Sequence, residues 1–238
     1  MSALYNELAK VYDQMYQQLF DYDQEFAFYH QQLQNATAQS VLELGCGTGN
    51  LAQRFCDAGY DYWGIDLSES MVELARQRVP KASIHAADMC SFELGRTFDM
   101  ICVTGRSISY LLHNQDVEQC FASVARHLAP QGQFVFDAID AAVLFNDFHQ
   151  TRTDEITVGT YRRLSRSTPN LSTGWTWNWV SDYYEGDRLI GQDEVTLRAF
   201  LVEELRLLLT RNGLTLSQIL DKDAYAWKDA YFIAHKKR

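Results

Sequence analysis

Through residue 140, short apolar runs alternate with segments whose apolar residues lie three or four positions apart. The runs are typical of buried strands, and the spaced segments are typical of amphipathic helices. Their regular alternation predicts an α/β fold, in which a doubly wound, mostly parallel sheet carries helices on both faces. Five strands are expected at residues 41–44, 60–66, 82–87, 98–103 and 133–137.

The segments on either side of this alternation have different patterns. Residues 1–36 are predicted to form an N-terminal helical cap, because apolar and aromatic side chains recur there at helical spacing. The pattern indicates two helices that are separated near residues 20–23. After the fifth strand, residues 151–200 alternate between apolar and polar side chains, which predicts a small antiparallel β-ribbon insertion.

The C-terminal part is predicted to complete the sheet. A helical pattern at residues 203–212 ends at Gly213, a residue type that often terminates helices. An antiparallel pair is then expected at 214–220 and 231–234, which gives seven strands with one antiparallel. We therefore predict that residues 1–238 form a single domain with a cap and an insertion.

Two helix and turn signals refine these boundaries. Ser70 and Glu73 have the spacing of a capping box at the start of the helix that follows the second strand. Pro130-Gln131-Gly132 has the composition of a turn, and it predicts that the fifth strand begins just after it.

Three tryptophans occupy alternate positions in the predicted insertion. Trp175, Trp177 and Trp179 therefore face one side of one strand. Two interpretations stay open at this point. The rings pack the ribbon onto the main sheet, or they form an aromatic wall of a binding pocket.

Composition excludes several kinds of partner and site. The net charge is −10, and basic residues cluster only at 162–163 and 236–238, so nucleic acid is not an expected partner. No run of 18 apolar residues occurs, so no membrane segment is expected. The five cysteines form no Cys-x-x-Cys pair, which predicts neither a metal site nor a disulfide framework and favours a cytoplasmic location.

Three glycines at alternate positions follow the first strand. Gly45, Gly47 and Gly49 lie between that strand and a helical segment, and glycines there let a ligand approach the backbone closely. Glu43 lies inside the buried strand, where a carboxylate is costly without a partner. The dinucleotide fingerprint Gly-x-Gly-x-x-Gly requires glycine where this chain has Asn50. The stretch therefore predicts a ligand site without matching that fingerprint.

Other polar residues follow the ends of neighbouring strands. Asp66 ends the second strand, Asp88 follows the third, and residues 104–110 follow the fourth. The carboxyl ends of parallel strands meet at one edge of a sheet, and ligands bind at that edge. These residues and the glycine turn are expected to surround one ligand.

Several motifs resemble those of the class I S-adenosylmethionine (SAM)-dependent methyltransferases. Glu-x-Gly-x-Gly-x-Gly at 43–49 resembles motif I of that family, and Gly-Ile-Asp-Leu-Ser-x-x-Met at 64–71 resembles its second motif. Ala-x-x-Tyr-Asp-x-x-Tyr at 9–16 resembles a segment that precedes motif I in many small-molecule methyltransferases. The segment 128–136 resembles the family's fifth strand. In layout, the chain is similar to the sugar N,N-dimethyltransferases.

This resemblance implies a Rossmann-like methyltransferase fold that binds SAM. In the family, the acid at Asp66 holds the ribose hydroxyls, the acid at Asp88 accepts from the adenine amino group, and the tyrosines cover the methionine end of the cofactor. The cofactor-binding residues implied in this way are Tyr12, Tyr16, Glu43, Leu44, Gly45, Cys46, Gly47, Thr48, Gly49, Asp66, Leu67, Met71, Asp88, Met89 and Thr104.

The resemblance also implies methyl transfer to a small molecule. An amine acceptor needs only to be deprotonated, while a hydroxyl acceptor usually needs a general base. Tyr110, Arg106, Asp137 and His149 are the candidate catalytic residues, because they follow the fourth and fifth strands. The sequence decides neither which atom of the acceptor receives the methyl group nor whether the protein forms a homodimer. Two alternatives are a non-catalytic SAM-binding regulator and an NAD-dependent oxidoreductase.

Overall fold

The computed structural model describes residues 2–222 and 229–237. Strands are numbered along the chain: β1 (Ser40–Leu44), β2 (Asp61–Asp66), β3 (Ser83–Ala86), β4 (Phe98–Val103), β5 (Leu128–Ile139), β6 (Arg152–Val158), β7 (Tyr161–Asn170), β8 (Thr176–Glu185), β9 (Arg188–Arg198), β10 (Leu214–Lys222) and β11 (Asp229–Lys236). Helices are α1 (Ala9–Leu19), α2 (Tyr22–Asn35), α3 (Asn50–Asp57), α4 (Glu69–Arg78), α5 (Asn114–His127), α6 (Ala141–Leu144) and α7 (Val202–Arg211).

The main sheet has the strand order β10-β11-β5-β4-β1-β2-β3. β1 pairs in parallel with β2 on one side and with β4 on the other. β11 runs antiparallel to both of its neighbours, β5 and β10. The predicted seven-stranded, mostly parallel sheet with one antiparallel strand is therefore confirmed.

Two apolar cores cover the two faces of this sheet. One contains side chains of α2, α3 and α4, such as Leu33, Phe55 and Val72, packed on the strands. The other contains side chains of α5 and α7, such as Phe121 and Leu205. Burial on both faces explains why the central strands read as continuous apolar runs instead of alternating ones.

The N-terminal cap consists of two helices, as the spacing of apolar residues predicts. α1 ends at Leu19, and α2 begins after Asp21, whose carboxylate accepts the amides of Asp23 and Gln24. This capping interaction satisfies two amides that the first turn of the helix leaves open.

Two local predictions are wrong. The cap of α4 is Ser68 and not Ser70, because the Ser68 hydroxyl accepts the amide of Met71 at 3.3 Å. Residues 130–132 lie within β5 and not in a turn. Leu128 pairs with Phe98 and Gln133 pairs with Met100, so β5 carries extra residues in a bulge against β4.

The insertion forms a four-stranded antiparallel sheet of order β6-β7-β8-β9, called here the second sheet. Its β7 was not predicted as a full strand, because arginines and serines interrupt the apolar pattern. Those side chains lie on a polar face that is nevertheless buried. We call it the inner face, defined by Arg163, Ser165, Ser181, Tyr183 and Asp193, which pair across the strands and are all buried.

The tryptophan stripe, Trp175, Trp177 and Trp179, serves mainly to pack the second sheet against the rest of the protein. Trp177 is fully buried in an apolar cluster with Phe145 and Phe148, and Trp179 packs against the same cluster. Trp175 remains 36% exposed, although its ring lies 5.6 Å from that of Phe145. The stripe therefore joins the second sheet to the segment that follows β5.

The cap also packs on the second sheet. Leu4, Leu8 and Met15 form an apolar cluster with Val158 and Tyr183. The N-terminal segment and the insertion, which are far apart in sequence, thus meet above the carboxyl ends of the main strands.

The glycine turn gives a stability prediction. Gly49 has φ of +78°, and a Cβ there would lie 3.0 Å from the Cβ of Ala75 on α4. Gly49→Ala should add the cost of a left-handed residue, about 1–2 kcal/mol, to that of overpacking, about 1–3 kcal/mol. Gly59→Ala is the control, because Gly59 has φ of +86° and open space around it. Urea unfolding should show the larger loss for Gly49→Ala; equal losses would contradict the packing argument.

Candidate functional site

The glycine turn leaves an open position at its centre. A Cβ at Gly45 would lie 2.7 Å from the hydroxyl oxygen of Ser107, whereas a Cβ at Gly47 would meet nothing within 4 Å. Gly45 is therefore required by the packing of the loop after β4, and Gly49 by the packing of α4. Gly47 has no such packing partner, so its open side is available to a ligand.

Asp66 is fixed beside Gly47 at the end of β2. One carboxylate oxygen accepts the amide of Gly47 at 2.9 Å, and the other accepts the amide of Ser68 at 2.9 Å. Burial raises the pKa of Asp66, and these two amides oppose that shift. The next residue, Leu67, is 56% exposed. The carboxylate keeps further lone pairs for a hydroxyl donor, and an exposed apolar side chain lies next to it.

The turn after β3 lies on the same edge. Asp88 is exposed, and its carboxylate accepts the amide of Cys90 at 2.8 Å. The Met89 methyl would lie 3.9 Å from a Cβ at Gly45, so this turn borders the glycine turn. Met71, on α4, is buried.

Glu43 lies below the glycine turn and is almost fully buried. Its two carboxylate oxygens accept the hydroxyls of Thr104 and Tyr62, each at 2.6 Å. Burial raises the pKa of Glu43 to about 7, although both hydrogen bonds lower it. The hydrogen bonds join β1 to Tyr62 near the start of β2 and to Thr104, which directly follows β4.

Other residues in and beside the glycine turn hold it in place by packing and hydrogen bonds. Leu44 and Cys46 direct their side chains into the two apolar cores. The backbone of Cys46 is bonded to Ile65 and Gly49, which holds the turn in place. The Thr48 hydroxyl donates to Asp13 of α1, and Arg78 forms a two-pronged ion pair with the same carboxylate at 2.9 Å. This set of contacts ties the cap to the glycine turn.

Aromatic side chains of the cap contact the loop after β4 and the second sheet. The rings of Tyr12 and Tyr16 are stacked at 4.3 Å. Tyr5 packs edge-on against Tyr12, and its hydroxyl lies 2.6 Å from that of Tyr110 in the loop after β4. The Tyr16 hydroxyl accepts from Arg163 of the inner face at 2.6 Å.

Two of the candidate catalytic residues belong to a buried ionic network. The backbone amide of Arg106 donates to Asp137, and its guanidinium donates to Asp229 at 2.6 Å. Asp137 also pairs with Lys222, which in turn pairs with Glu25, each at 2.8 Å. Burial acts to lower the pKa of Lys222, but Asp137 and Glu25 raise it on balance. These contacts give Asp137 and Arg106 structural partners.

His149 lies apart from this network. It is exposed, and its Nε2 lies 2.9 Å from the carbonyl oxygen of Asn146 in its own loop. Tyr110 is the candidate catalytic residue whose hydroxyl meets the aromatic cover of the cap.

Sequence reasoning missed four residues that shape this edge. Asp13 could have been found, because it lies inside the motif at 9–16. Tyr5, Arg163 and Asp193 carried no such signal, since their roles depend on the meeting of the cap with the second sheet.

Within 2–222 and 229–237, no group of three or more His, Cys, Asp or Glu residues could hold a metal ion. Among the same residues, no helix has the length and apolarity needed to cross a membrane.

Comparisons with known proteins show which family the chain resembles. Residues 41–132 match a family model described as a methyltransferase domain. Over 100 residues, the chain is 38% identical to the dTDP-3-amino-3,4,6-trideoxy-alpha-D-glucopyranose N,N-dimethyltransferase of Streptomyces venezuelae, with 42% of each chain covered. Over 172 residues, it is 31% identical to an uncharacterized methyltransferase of Bacillus mycoides, covering 64% of this chain and 79% of that one.

Solved structures extend the similarity of fold to the whole chain. A SAM-dependent methyltransferase from Clostridium acetobutylicum superposes with a TM-score of 0.83 at 19% identity, covering 98% of both chains. The chain spans between 40% and 52% of the length of the three sugar N,N-dimethyltransferases it matches. The longer relative shows the family, and the family model and the shared sheet agree with it. The chain belongs to the class I SAM-dependent methyltransferase family.

Proposed function

We propose that this protein transfers a methyl group from SAM to the amine nitrogen of a small-molecule acceptor. The observation that carries the proposal is the junction of Asp66 with the amide of Gly47, beside an open glycine position. Turns after β1, β2, β3 and β4 border this junction. Ligands of doubly wound sheets bind at this edge.

The residues present fit an adenosine-bearing cofactor. The open side of Gly47 gives close access to backbone, and the Asp66 carboxylate can accept from both hydroxyls of a ribose. Exposed Leu67 and half-buried Met89 offer apolar surface for a base, with Asp88 at the edge to accept from an amino group. Tyr12 and Tyr16 cover the remaining side. When bound, SAM supplies an electrophilic methyl group on a positively charged sulfur.

The surroundings of the two candidate bases, Asp137 and His149, favour an amine acceptor. Asp137 is fully buried and pairs with Lys222, and His149 is exposed in its own loop. A hydroxyl acceptor usually needs a positioned general base, whereas a neutral amine carries its own lone pair. The protein's remaining task is to hold that amine opposite the sulfur, which can account for most of the rate.

The names of relatives support a narrower acceptor class. Three matched relatives are named as N,N-dimethyltransferases of dTDP-linked aminosugars. We therefore propose aminosugar nucleotides as the acceptor class to test first. The comparisons give no support to an NAD-dependent oxidoreductase or to a non-catalytic SAM-binding regulator.

The remaining parts of the proposal concern the whole molecule. We propose that the cap, the main sheet and the second sheet act as a single domain, which the shared apolar cluster of Leu4, Leu8 and Tyr183 supports. Five free cysteines support a reducing, cytoplasmic location. The homodimer stays a prediction.

Glu43 is proposed to support the donor site from below, and its titration is testable. The folded state holds its proton up to about pH 7, against an ordinary pKa of 4.5. The stability that this gives is fully present below pH 4.5, falls as the pH rises and is gone above about pH 7. Between pH 5 and 8, the wild type should lose about 2–3 kcal/mol of unfolding free energy relative to Glu43→Gln. Exposed Glu7→Gln is the control; a Glu43→Gln profile parallel to the wild type would contradict this role.

SAM binding tests the donor site. Gly47→Val should lower the affinity for SAM at least 100-fold, because the side chain would fill the open space beside Gly47. Asp66→Ala should also abolish measurable binding, since the ribose loses its acceptor. Gly59→Val, at another open glycine with positive φ, is the control. Isothermal titration with circular dichroism checks both points; unchanged affinity in a folded Gly47→Val protein would overturn the site.

Turnover tests the acceptor class. Incubation with SAM and dTDP-3-amino-3,4,6-trideoxy-α-D-glucose should give mono- and dimethylated products and S-adenosylhomocysteine, as judged by mass spectrometry. The corresponding 3-hydroxy sugar should give no product, because Asp137 is paired with Lys222 and His149 is exposed in its own loop, so neither candidate base is placed to activate it. Methylation of the hydroxy sugar at a comparable rate would contradict the amine assignment.

A further inference from the structure

The first residues of the chain cross the site as a strap, defined here as residues 2–8. At one end, the Asp193 carboxylate of the inner face accepts the Ser2 hydroxyl at 2.7 Å and the Leu4 amide at 3.1 Å. At the other end, the Ser68 hydroxyl donates to the carbonyl oxygen of Tyr5. Ser68 is also bonded to Asp66 through its amide, so the strap joins the donor loop to the second sheet.

The strap places Tyr5 against the loop after β4. Its hydroxyl lies 2.6 Å from that of Tyr110, and the two rings meet edge to face at 5.7 Å. The 3₁₀ turn that ends at Tyr110 begins at Ser107, whose hydroxyl packs on Gly45. Three steps of a 3₁₀ helix rise about 6 Å. Tyr110 is therefore about 6 Å along the turn from the residue that packs on Gly45. Tyr5 also packs edge-on against Tyr12, which the family resemblance assigns to the methionine end of the cofactor.

From this geometry we propose that Tyr5 and Tyr110 form a two-hydroxyl clamp that binds the acceptor's amine nitrogen and directs its lone pair at the methyl group. The inference rests on the proposed function, and it adds the residues that select an amine. Asp193 is proposed as a positioning residue, because it acts only through the strap.

The chemistry of the pair suits this task. One hydroxyl donates to the other, which leaves one hydroxyl proton and lone pairs on both oxygens for a third group. Burial raises the pKa of both tyrosines well above the ordinary value, so neither acts as a base at neutral pH. An amine N–H can donate to one of these oxygens, and its lone pair then points away from the pair.

The transfer step balances without a base from the protein. The nitrogen lone pair forms the new N–C bond as the S–C bond breaks, and the electrons of that bond stay on sulfur. The nitrogen keeps its proton and leaves as an ammonium, whose positive charge the two phenol oxygens stabilise as it develops. Solvent takes the proton after release.

The test compares Tyr5→Phe, Tyr110→Phe and the double variant of the full chain. Tyr184→Phe is the matched control, since Tyr184 lies on the outer face of the second sheet and packs on Arg162. Binding of dTDP-3-amino-3,4,6-trideoxy-α-D-glucose to the S-adenosylhomocysteine complex is measured by calorimetry, and kcat and KM are measured with SAM. Affinity for SAM and the melting temperature are measured alongside.

Each single variant should lose about tenfold in kcat/KM and in amine affinity, as expected for one positioned hydrogen bond. SAM affinity should stay within twofold. The double variant should lose little more than either single one, because the hydroxyls work as a pair. Asp193→Ala should reproduce the loss, and Asp193→Asn, which still accepts from Ser2 and Leu4, should restore it.

Among the variants, three results would overturn the clamp: unchanged amine affinity in Tyr5→Phe, losses that multiply in the double variant, or an equal loss of SAM binding. A wild type that does not bind the amine overturns it as well. A wild type that binds the amine without turnover overturns the proposed function instead, and the affinities of the variants still decide the clamp.

Discussion

The hydrogen bond between the Asp66 carboxylate and the Gly47 amide is the contact on which the site depends. It joins the end of β2 to the turn after β1 and so fixes an acid beside Gly47, where an added Cβ would meet nothing within 4 Å. The parallel order of the sheet makes this contact possible, because it brings both strand ends to the same edge. Glu43 supports the turn from below, through hydroxyls of the two neighbouring strands.

Polar contacts, more than apolar packing, close the site from above. Asp13 ties α1 to the glycine turn through Thr48 and Arg78, and Asp193 holds the first residues against the second sheet. Buried polar groups stabilise one arrangement only when each finds a partner, so such contacts specify geometry more strongly than apolar packing does. The cap is thereby held in one register over both the glycine turn and the second sheet.

Sequence alone predicted the sheet well, because its strands and helices have clear periodicities. The convergence of Asp66 with the glycine turn followed from the rule that parallel strands end at one edge. The second sheet was predicted less fully, since serines and Arg163 on its buried face broke the apolar pattern of β7. Tyr5 could not be predicted, because its partner Tyr110 is distant in sequence and no local motif joins them.

A crystal structure with S-adenosylhomocysteine bound tests the central claim most directly. The account predicts both ribose hydroxyls within about 2.6–3.2 Å of the Asp66 carboxylate oxygens. It also predicts the cofactor backbone passing over Gly47 and the sulfur facing the hydroxyls of Tyr5 and Tyr110. A cofactor bound elsewhere, or an Asp66 carboxylate that contacts only backbone amides in the complex, would contradict it.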